Sequence, residues 1–174
     1  MNFYFINVQK MEEIDEADLR LLTLLQADAS RSNQTLAELA HLSPPTSLRR
    51  IKRLRSLGII EREVALLNPD KLAPLLGHGL TALVEITLDR QGSDEQAAFE
   101  AHVVPDPAVQ QCYRVSPGPD FVLVVHTADM PGYLALAQRL FHSRANVRNV
   151  KAFFSVKRAK FDPRLPLRSD SPDA

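Results

Sequence analysis

The sequence predicts an α+β protein in which a helical N-terminal part precedes a part that alternates strands and helices. Up to Gly58, apolar residues recur every three or four positions, as they do along one side of a helix. From Leu80 onwards they alternate with polar residues, as they do along a half-buried strand. Between these stretches, Asn68-Pro69 is typical of a position where a strand ends. The change of period therefore indicates two structural parts.

Two helices are expected at the start of the first part. One covers residues 15–27, with Asp15 as its N-cap and further acids in its first turn, where the helix dipole favours negative charge. The other covers residues 34–41 and is capped by Ser32 or Asn33. Both carry apolar residues at helical spacing, so their inner sides are expected to share one core.

A third helix with marked ends lies between Ser43 and Gly58, and we call it the basic helix. The hydroxyl of Ser43 can accept from a first-turn N–H, Pro44 suits the first helical position, and Gly58 suits a left-handed final residue. The residues of its apolar stripe are Leu48, Ile51, Leu54 and Leu57. Its opposite face carries five basic residues and no acidic residue: Arg49, Arg50, Lys52, Arg53 and Arg55. A helix face that is only solvated usually carries both positive and negative side chains. This face carries positive charge alone, which favours an anionic partner.

A short helix, a tight turn at residues 41–43 and a helix that begins with small polar residues form the helix-turn-helix signature. A strand expected over residues 59–67 would complete a winged helix-turn-helix domain. Small residues permit close approach to base edges, while arginines reach edges or phosphates. Double-stranded DNA is therefore the predicted partner. The predicted contact residues are Asn33, Ser43, Pro45, Thr46, Ser47, Arg49, Arg50, Lys52 and Arg53.

The second part follows the order β-α-β-β-α-β, which predicts a ferredoxin-like sandwich. The expected strands cover residues 80–88, 109–115, 121–127 and 147–156, and the expected helices cover residues 93–104 and 130–143. Ser93 with Gln96 predicts a capping box for the first helix, and Asp129 is the expected cap of the second. Exposed sheet edges and apolar residues on more than one face predict completion by another subunit, so at least a homodimer is expected.

The composition excludes several other classes of protein. Lys+Arg and Asp+Glu both number 21, so any attraction to nucleic acid is local to the basic helix. Cys112 is the only cysteine, which excludes an internal disulfide and fits a reducing cytoplasm. The histidines and Cys112 have no metal-ligand spacing, and no metal or cofactor is expected. Residues 1–8 lack the basic start and cleavage site of a signal peptide, and no apolar run is long enough to span a membrane.

Together these motifs resemble the Lrp/AsnC, or feast/famine, family of transcriptional regulators over about residues 12–161. The matching pieces are Ile14-Asp15-x-x-Asp18-x-x-Leu21-Leu22, Leu42-Ser43-Pro44, Arg50-Ile51-x-x-Leu54-x-x-x-Gly58-Ile59-Ile60, Val84-Glu85-Ile86, the Ser116–Asp120 turn and Asp129-Met130-x-x-Tyr133. The resemblance implies a sequence-specific DNA-binding regulator rather than an enzyme, assembled as dimers and higher even-numbered oligomers. The expected domains are a DNA-binding domain at 12–64, a connection at 65–79, an effector-binding and oligomerisation domain at 80–161 and a loose tail at 162–174.

The family's effector is commonly an amino acid held near the turn between the second and third strands, at an interface between dimers. By position, the resemblance implies an effector site formed by Ser116, Gly118, Asp120, Met130, Phe153, Phe154 and Ser155. The Asp120 carboxylate is expected to pair with an α-ammonium group, while backbone N–H groups of the turn hold the carboxylate. The plainer alternatives are that Asp120 caps the turn and that the two phenylalanines are core or dimer contacts.

The chain departs from the family pattern at two turns. His41 stands where the family usually has Gly, and Pro117 and Pro119 remove two possible N–H donors from the effector turn. Two rival functions remain on this fold. One is an enzyme similar to the sirohaem decarboxylases, against which the basic helix and the absence of a matched histidine pair both argue. The other is an effector-binding module without DNA binding.

Overall fold

The structure is a computed structural model that describes residues 14–77, 79–142 and 146–167. Among these residues no helix is long and apolar enough to cross a membrane. Residues 14–65 together with 161–167 form one compact unit, the helical unit, and residues 66–160 form the other, the sheet unit. The elements in chain order are α1 (Glu16–Ala27), α2 (Asn33–Leu39), α3 (Pro44–Ser56), α4 (Pro69–Leu76), β1 (Leu80–Leu88), α5 (Ser93–Val103), β2 (Val109–Arg114), β3 (Phe121–Thr127), α6 (Met130–Ala137) and β4 (Val147–Phe154).

Helices α1, α2 and α3 confirm the predicted helix-turn-helix arrangement. Asp15 caps α1 through a reciprocal box, since its Oδ1 accepts from the Asp18 N–H at 2.9 Å while Asp18 Oδ2 accepts from the Asp15 N–H at 3.3 Å. Of the two candidate caps of α2, Ser32 is the one used, and its hydroxyl accepts from the Thr35 N–H. The buried contacts among the three helices are made by Leu21, Leu36, Ala40 and Ile51.

The turn between α2 and α3 places His41 in the left-handed region, with φ of 56°. Two backbone bonds close the helix end, from the Leu42 N–H to the Ala37 carbonyl at 2.8 Å and from the His41 N–H to the Glu38 carbonyl at 3.2 Å. Gly58, with φ of 72°, ends α3 in the same conformation, as predicted. The turn therefore keeps its geometry without the usual glycine, although the histidine side chain makes that conformation costlier.

Two local predictions in this region are wrong. Ser43 is the N-cap residue of α3, as predicted, but its hydroxyl accepts from no backbone N–H and lies 2.8 Å from the Thr46 hydroxyl instead. Residues 59–67 are exposed, except for the partly buried Ile60, and form no strand within this chain, because no described strand lies beside them to exchange backbone hydrogen bonds. The sequence reading also missed α4, in which Asn68 Oδ1 accepts from the Lys71 N–H and Pro69 is the first helical residue. The Asn-Pro pair begins a helix here as well as ending the segment before it.

The sheet unit has the predicted ferredoxin-like topology. Its four antiparallel strands lie in the order β2-β3-β1-β4, so the first and third strands along the chain are central. Ile86 pairs with Phe121 towards one end of β1, and Ala82 pairs with Phe154 towards the other. Helices α5 and α6 cover one face of this sheet. The buried core between them and the sheet consists of Ala82, Val84, Ile86, Leu88, Phe99, Val103, Phe121, Leu123, Val125, Tyr133, Leu136, Ala137, Leu140 and Phe141.

Several ends of the elements in the sheet unit differ from the prediction. The capping box of Ser93 is absent, because Gly92 is the N-cap and Ser93 is already helical. Asp129 does cap α6, accepting from the Gly132 N–H at 2.8 Å. Helix α6 ends at Ala137 and continues as a wider π-helical turn, Gln138–His142. Strand β4 ends before Ser155, whose N–H makes a last bond to the Thr81 carbonyl at 2.9 Å.

The part of the predicted loose tail that the structure describes, residues 162–167, is attached to the helical unit. The Gln26 side chain bonds the Leu165 backbone in both directions: Gln26 Oε1 accepts from the Leu165 N–H at 2.7 Å, and Gln26 Nε2 donates to the Leu165 carbonyl at 3.2 Å. One amide side chain therefore supplies hydrogen-bond partners for both the N–H and the carbonyl of Leu165. Residues 168–174 and the N-terminal residues 1–10 lie outside the described part of the chain.

Candidate functional site

The predicted DNA-contacting residues on α3 divide by burial. Ser43, Pro45, Arg49 and Lys52 are exposed, and Thr46 is half-buried. Ser47 is fully buried, so its side chain faces the helical core and not a ligand. Helical periodicity alone did not show this, because a serine fits either side of a helix. The exposed residues form a connected row along the first two turns of α3.

Two further arginines of α3 are engaged by acids of α1. The Asp18 carboxylate, whose side chain is 0% exposed, accepts from Arg50 Nη1 at 3.0 Å and from Arg53 Nη2 at 2.6 Å. Arg50 Nη1 also reaches the Asp15 carboxylate at 2.8 Å. This buried charge network joins α1 to α3 and fixes the orientation of the basic helix. Arg50 and Arg53 were predicted to contact DNA, and in this structure their described partners are acids of the same chain.

The network also shifts the protonation equilibria of its members. The hydrogen bond to Asp18 is the main cause that raises the pKa of Arg50. Burial raises the pKa of the Asp15 carboxyl, but the hydrogen bonds from the Asp18 N–H and from Arg50 outweigh it, so this pKa lies below its ordinary value. Both groups are therefore charged throughout the neutral range.

Sequence reasoning did not assign Asp18 this role, although the sequence carries a signal for it. Asp18 lies four residues after Ile14 and three before Leu21, which places it on the apolar stripe of α1. A carboxylate on a buried stripe needs a cationic partner, because burying an isolated charge is costly. The basic helix is the neighbouring helix whose cationic side chains can supply that partner.

Asn33 lies at the start of α2, and its Nδ2 donates to the Pro44 carbonyl at 2.9 Å. It therefore ties the start of α2 to the start of α3 and sets the angle at which the first turn of α3 is presented. Arg55, the last basic residue of α3, forms an ion pair with Glu63 at 2.5 Å. No acidic side chain among the described residues pairs with Arg49 or Lys52.

The residues predicted to bind the effector fall into two groups at opposite ends of the sheet. Residues 116–120 lie beyond the Leu88 end of β1, since the Asp120 side chain accepts from the Leu88 N–H. Phe154 pairs with Ala82 and the Ser155 N–H bonds Thr81, so these residues lie at the other end. Ala82 and Leu88 are six positions apart on β1, about 20 Å at the usual rise of a strand. One chain therefore does not bring the two groups together.

Asp120 is held within its own chain. It is 7% exposed, and its Oδ2 accepts from the Leu88 N–H at 2.7 Å and from Gln91 Nε2 at 3.2 Å. This geometry corresponds to the plainer alternative, a residue that fixes the turn against β1. Ser116 precedes a cis proline, and Gly118 has φ of 124°, so the turn has a specific backbone shape.

The second group surrounds the start of α6. Met130 is the first residue of α6 and is exposed. The ring of Phe154 meets Tyr133 edge-to-face at 5.0 Å between centroids, on the helix-covered side of the sheet. Phe153 points to the opposite side, where the Lys151 ammonium lies 4.7 Å from its ring centroid. Phe153 and Phe154 therefore do not line the same side of the sheet.

Comparisons with known proteins agree with both units. The model of the AsnC-type helix-turn-helix domain matches residues 14–55, and that of the Lrp/AsnC ligand binding domain matches residues 81–165. The DNA-binding transcriptional activator DecR of Escherichia coli is 34% identical over 88% of this chain and 99% of its own. The leucine-responsive regulatory protein of Salmonella typhimurium is 31% identical over 91% of this chain and 94% of its own.

Comparison with solved structures also finds a transcriptional regulator. A transcriptional regulator from Neisseria meningitidis, determined in complex with L-Met, superposes with a TM-score of 0.76 at 30% identity, covering 88% of this chain and 97% of the other. The names of these relatives support a regulator over the decarboxylase alternative. With both units matched and relatives above 30% identity over nearly their whole length, the chain belongs to the Lrp/AsnC family of DNA-binding transcriptional regulators.

Proposed function

We propose that this regulator binds double-stranded DNA sequence-specifically by placing the start of α3 in the major groove. The observation that carries this is the exposed row formed by Ser43, Pro45, Arg49 and Lys52, in which small residues lie beside two cationic side chains. Neither cation forms an ion pair with an acidic side chain in the part of the chain that the structure describes. Small residues allow the helix to approach the base edges closely. Arg49 is the expected base-reading residue, because a guanidinium binds guanine through two parallel hydrogen bonds, and Lys52 is the expected phosphate contact.

Arg49→Ala is expected to cost about 1–3 kcal/mol of binding to the specific site and to relax its sequence preference. Lys52→Ala is expected to weaken binding to all sequences alike and to reduce the slope of log K against log salt by about one. Fluorescence anisotropy with a selected genomic duplex and a scrambled duplex, at several salt concentrations, measures both effects.

Arg148→Ala is the matched control, since it removes one exposed positive charge from the sheet unit. It should leave both affinities unchanged. If an Arg49→Ala/Lys52→Ala double variant bound both duplexes as tightly as the wild type, α3 would not be the DNA-binding helix.

We infer that the regulator is at least a homodimer and that the uncovered face of its sheet, the outer face, is where a second copy packs. Leu83, Tyr113 and Phe153 on this face are 44%, 54% and 45% exposed within one chain. Glu85 lies opposite Lys151 on the same face, so the face carries both signs of charge and can complement itself across a two-fold axis. A dimer presents two α3 helices, which suits a palindromic site.

The effector is proposed to be an amino acid held between subunits. The reason for an intersubunit site is the distance between the two predicted groups, because the turn at residues 116–120 and the residues around Met130 lie at opposite ends of one sheet. Both described hydrogen bonds of the Asp120 side chain go to Oδ2, so Oδ1 is the atom that an ammonium group is expected to approach. A ligand that bridges subunits changes DNA affinity by favouring one assembly over another.

Complementation between subunits tests this composite site. Asp120→Asn alters the turn group and Met130→Ala alters the other group, and each variant alone is expected to lose binding of the amino acid. L-methionine and the other amino acids are first screened on the wild type by thermal shift. Co-expression of the two variants should restore about a quarter of the sites, because random assembly pairs two intact halves in one case in four.

Calorimetric titration of the co-expressed sample counts these restored sites, and each variant expressed alone is the control. A site contained within one chain would show no restoration on co-expression. Unaltered affinity in both single variants would mean that neither group contacts the amino acid. Thermal unfolding of each variant checks that its fold is retained.

A further inference from the structure

A cavity of about 190 Å³ lies between the start of α1 and the basic helix, and its walls are Asp15, Arg49, Arg50 and Arg53. Three of these four side chains are guanidinium groups, the side chain best suited to binding phosphate through paired hydrogen bonds. The network described above explains how Asp18 holds two of these groups. It does not explain why a third, Arg49, borders the same cavity.

The cavity borders the proposed DNA-binding row. Pro45, Arg49 and Arg53 are spaced four residues apart, so they form one row along α3. Arg49 belongs both to this row and to the cavity wall. A duplex that contacts Arg49 therefore passes its backbone close to the mouth of the cavity.

The two acids that contact Arg50 differ in exposure. Asp18 is fully buried, so separating it from Arg50 would take the described cationic contact away from Oδ1 of a carboxylate that water does not reach. The Asp15 side chain is 53% exposed, and its contact with Arg50 is an ion pair at the surface. Such pairs contribute little net free energy, since water competes for both charges. Arg50 can thus exchange Asp15 for another anion while Asp18 continues to hold it.

We propose that this cavity binds one phosphate of the DNA backbone, and that Asp15 occupies Arg50 in its place while DNA is absent. The inference rests on the proposed binding of DNA through α3. When the duplex binds, a phosphate oxygen replaces the Asp15 carboxylate on Arg50, in the cavity that Arg49 borders. Asp15 therefore acts as an internal competitor of DNA and lowers the affinity for every sequence.

Asp15→Asn tests the proposal by the sign of its effect. Asparagine caps a helix as well as aspartate does, so α1 keeps its start, while the competing charge is lost. The affinity for both specific and scrambled duplexes is expected to rise about three- to tenfold, because one carboxylate no longer opposes the phosphate. A variant that had merely lost stability would bind DNA more weakly.

Glu16→Gln is the matched control. It removes the same charge from the same turn, but its carboxylate is 84% exposed and its described contact is with Arg20 at 3.9 Å, away from the cavity. Its effect on DNA affinity should be below about twofold, as expected for a screened surface charge. An equal rise in both variants would overturn the proposal, since net charge alone would then explain the effect. An unchanged or weaker affinity of Asp15→Asn would also overturn it.

The same assay separates this inference from the DNA-binding proposal. If Arg49→Ala/Lys52→Ala loses DNA binding while Asp15→Asn gains none, the phosphate site fails and the DNA-binding helix stands. If the double variant binds as the wild type does, the DNA-binding proposal itself fails. Inorganic phosphate at constant ionic strength is the second probe. Stabilisation of the wild type by phosphate without a gain in DNA affinity for Asp15→Asn would identify a site for free anions and overturn the inference.

Discussion

Asp18→Ala is expected to lower the free energy of unfolding of the helical unit by about 3–5 kcal/mol. The carboxylate is fully buried and accepts hydrogen bonds from both Arg50 and Arg53. Its removal takes the buried acceptor away from both guanidinium groups, and it also breaks the reciprocal cap with Asp15. A loss of this size is a large fraction of the stability of a small domain. Urea denaturation followed by far-ultraviolet circular dichroism measures the change.

Asp28→Ala is the control for this experiment. Asp28 is an exposed acid at the end of α1, and its described contacts are with Ser30 and, at 3.6 Å, with Arg31. Its loss is expected to cost about 1 kcal/mol or less, as for most surface pairs. If Asp18→Ala cost no more than Asp28→Ala, the buried network would not hold α1 to α3.

Leu83→Asp is expected to convert the proposed dimer to a monomer by raising its dissociation constant at least about 100-fold. Leu83 lies at the centre of the outer face, paired with Val124 on β3 and Phe153 on β4. A carboxylate introduced there loses its hydration when a second copy packs on the outer face, and burying it costs several kcal/mol. Analytical ultracentrifugation at micromolar concentration follows the change in mass.

Val104→Asp provides the comparison, because it places the same charge on an exposed apolar residue at the end of α5, outside the sheet. It is expected to leave the assembly unchanged. A monomeric wild type, or a Leu83→Asp variant that remains dimeric, would show that the outer face is not the contact between copies. A monomeric variant should also bind a palindromic duplex more weakly, since it engages only one half-site at a time.

Local chemistry was sufficient to predict several elements to within a residue. Strands β1 and β3 begin and end where their alternating pattern does, because one face must be buried and the other must not. Gly58 ends α3 in the left-handed region, and Asp129 caps α6, as their side chains favour. The strand expected over residues 59–67 was wrong for the single chain, because a strand also needs a neighbouring strand with which to exchange backbone hydrogen bonds.

The sequence supplies the residues proposed for the two candidate sites, but not how those residues are arranged. The sequence identified the basic residues of α3. Which of them face outwards and which are bound depends on Asp18, which lies 32 residues before Arg50 in the chain. It also named both effector groups, without showing that they lie at opposite ends of one sheet.

By itself, the sequence determined the fold class and the helix that carries the positive charge, since these follow from periodicity, capping and residue type within short stretches. The family was indicated by the resemblance of its motifs, taken together. Only the tertiary structure decided that Ser47 is buried, that Arg50 and Arg53 are paired with acids, and that Asp120 bonds the end of β1. Burial and pairing depend on which surfaces meet across distant parts of the chain. A local pattern specifies that a surface must be covered, and the packing of the helices and the sheet specifies what covers it.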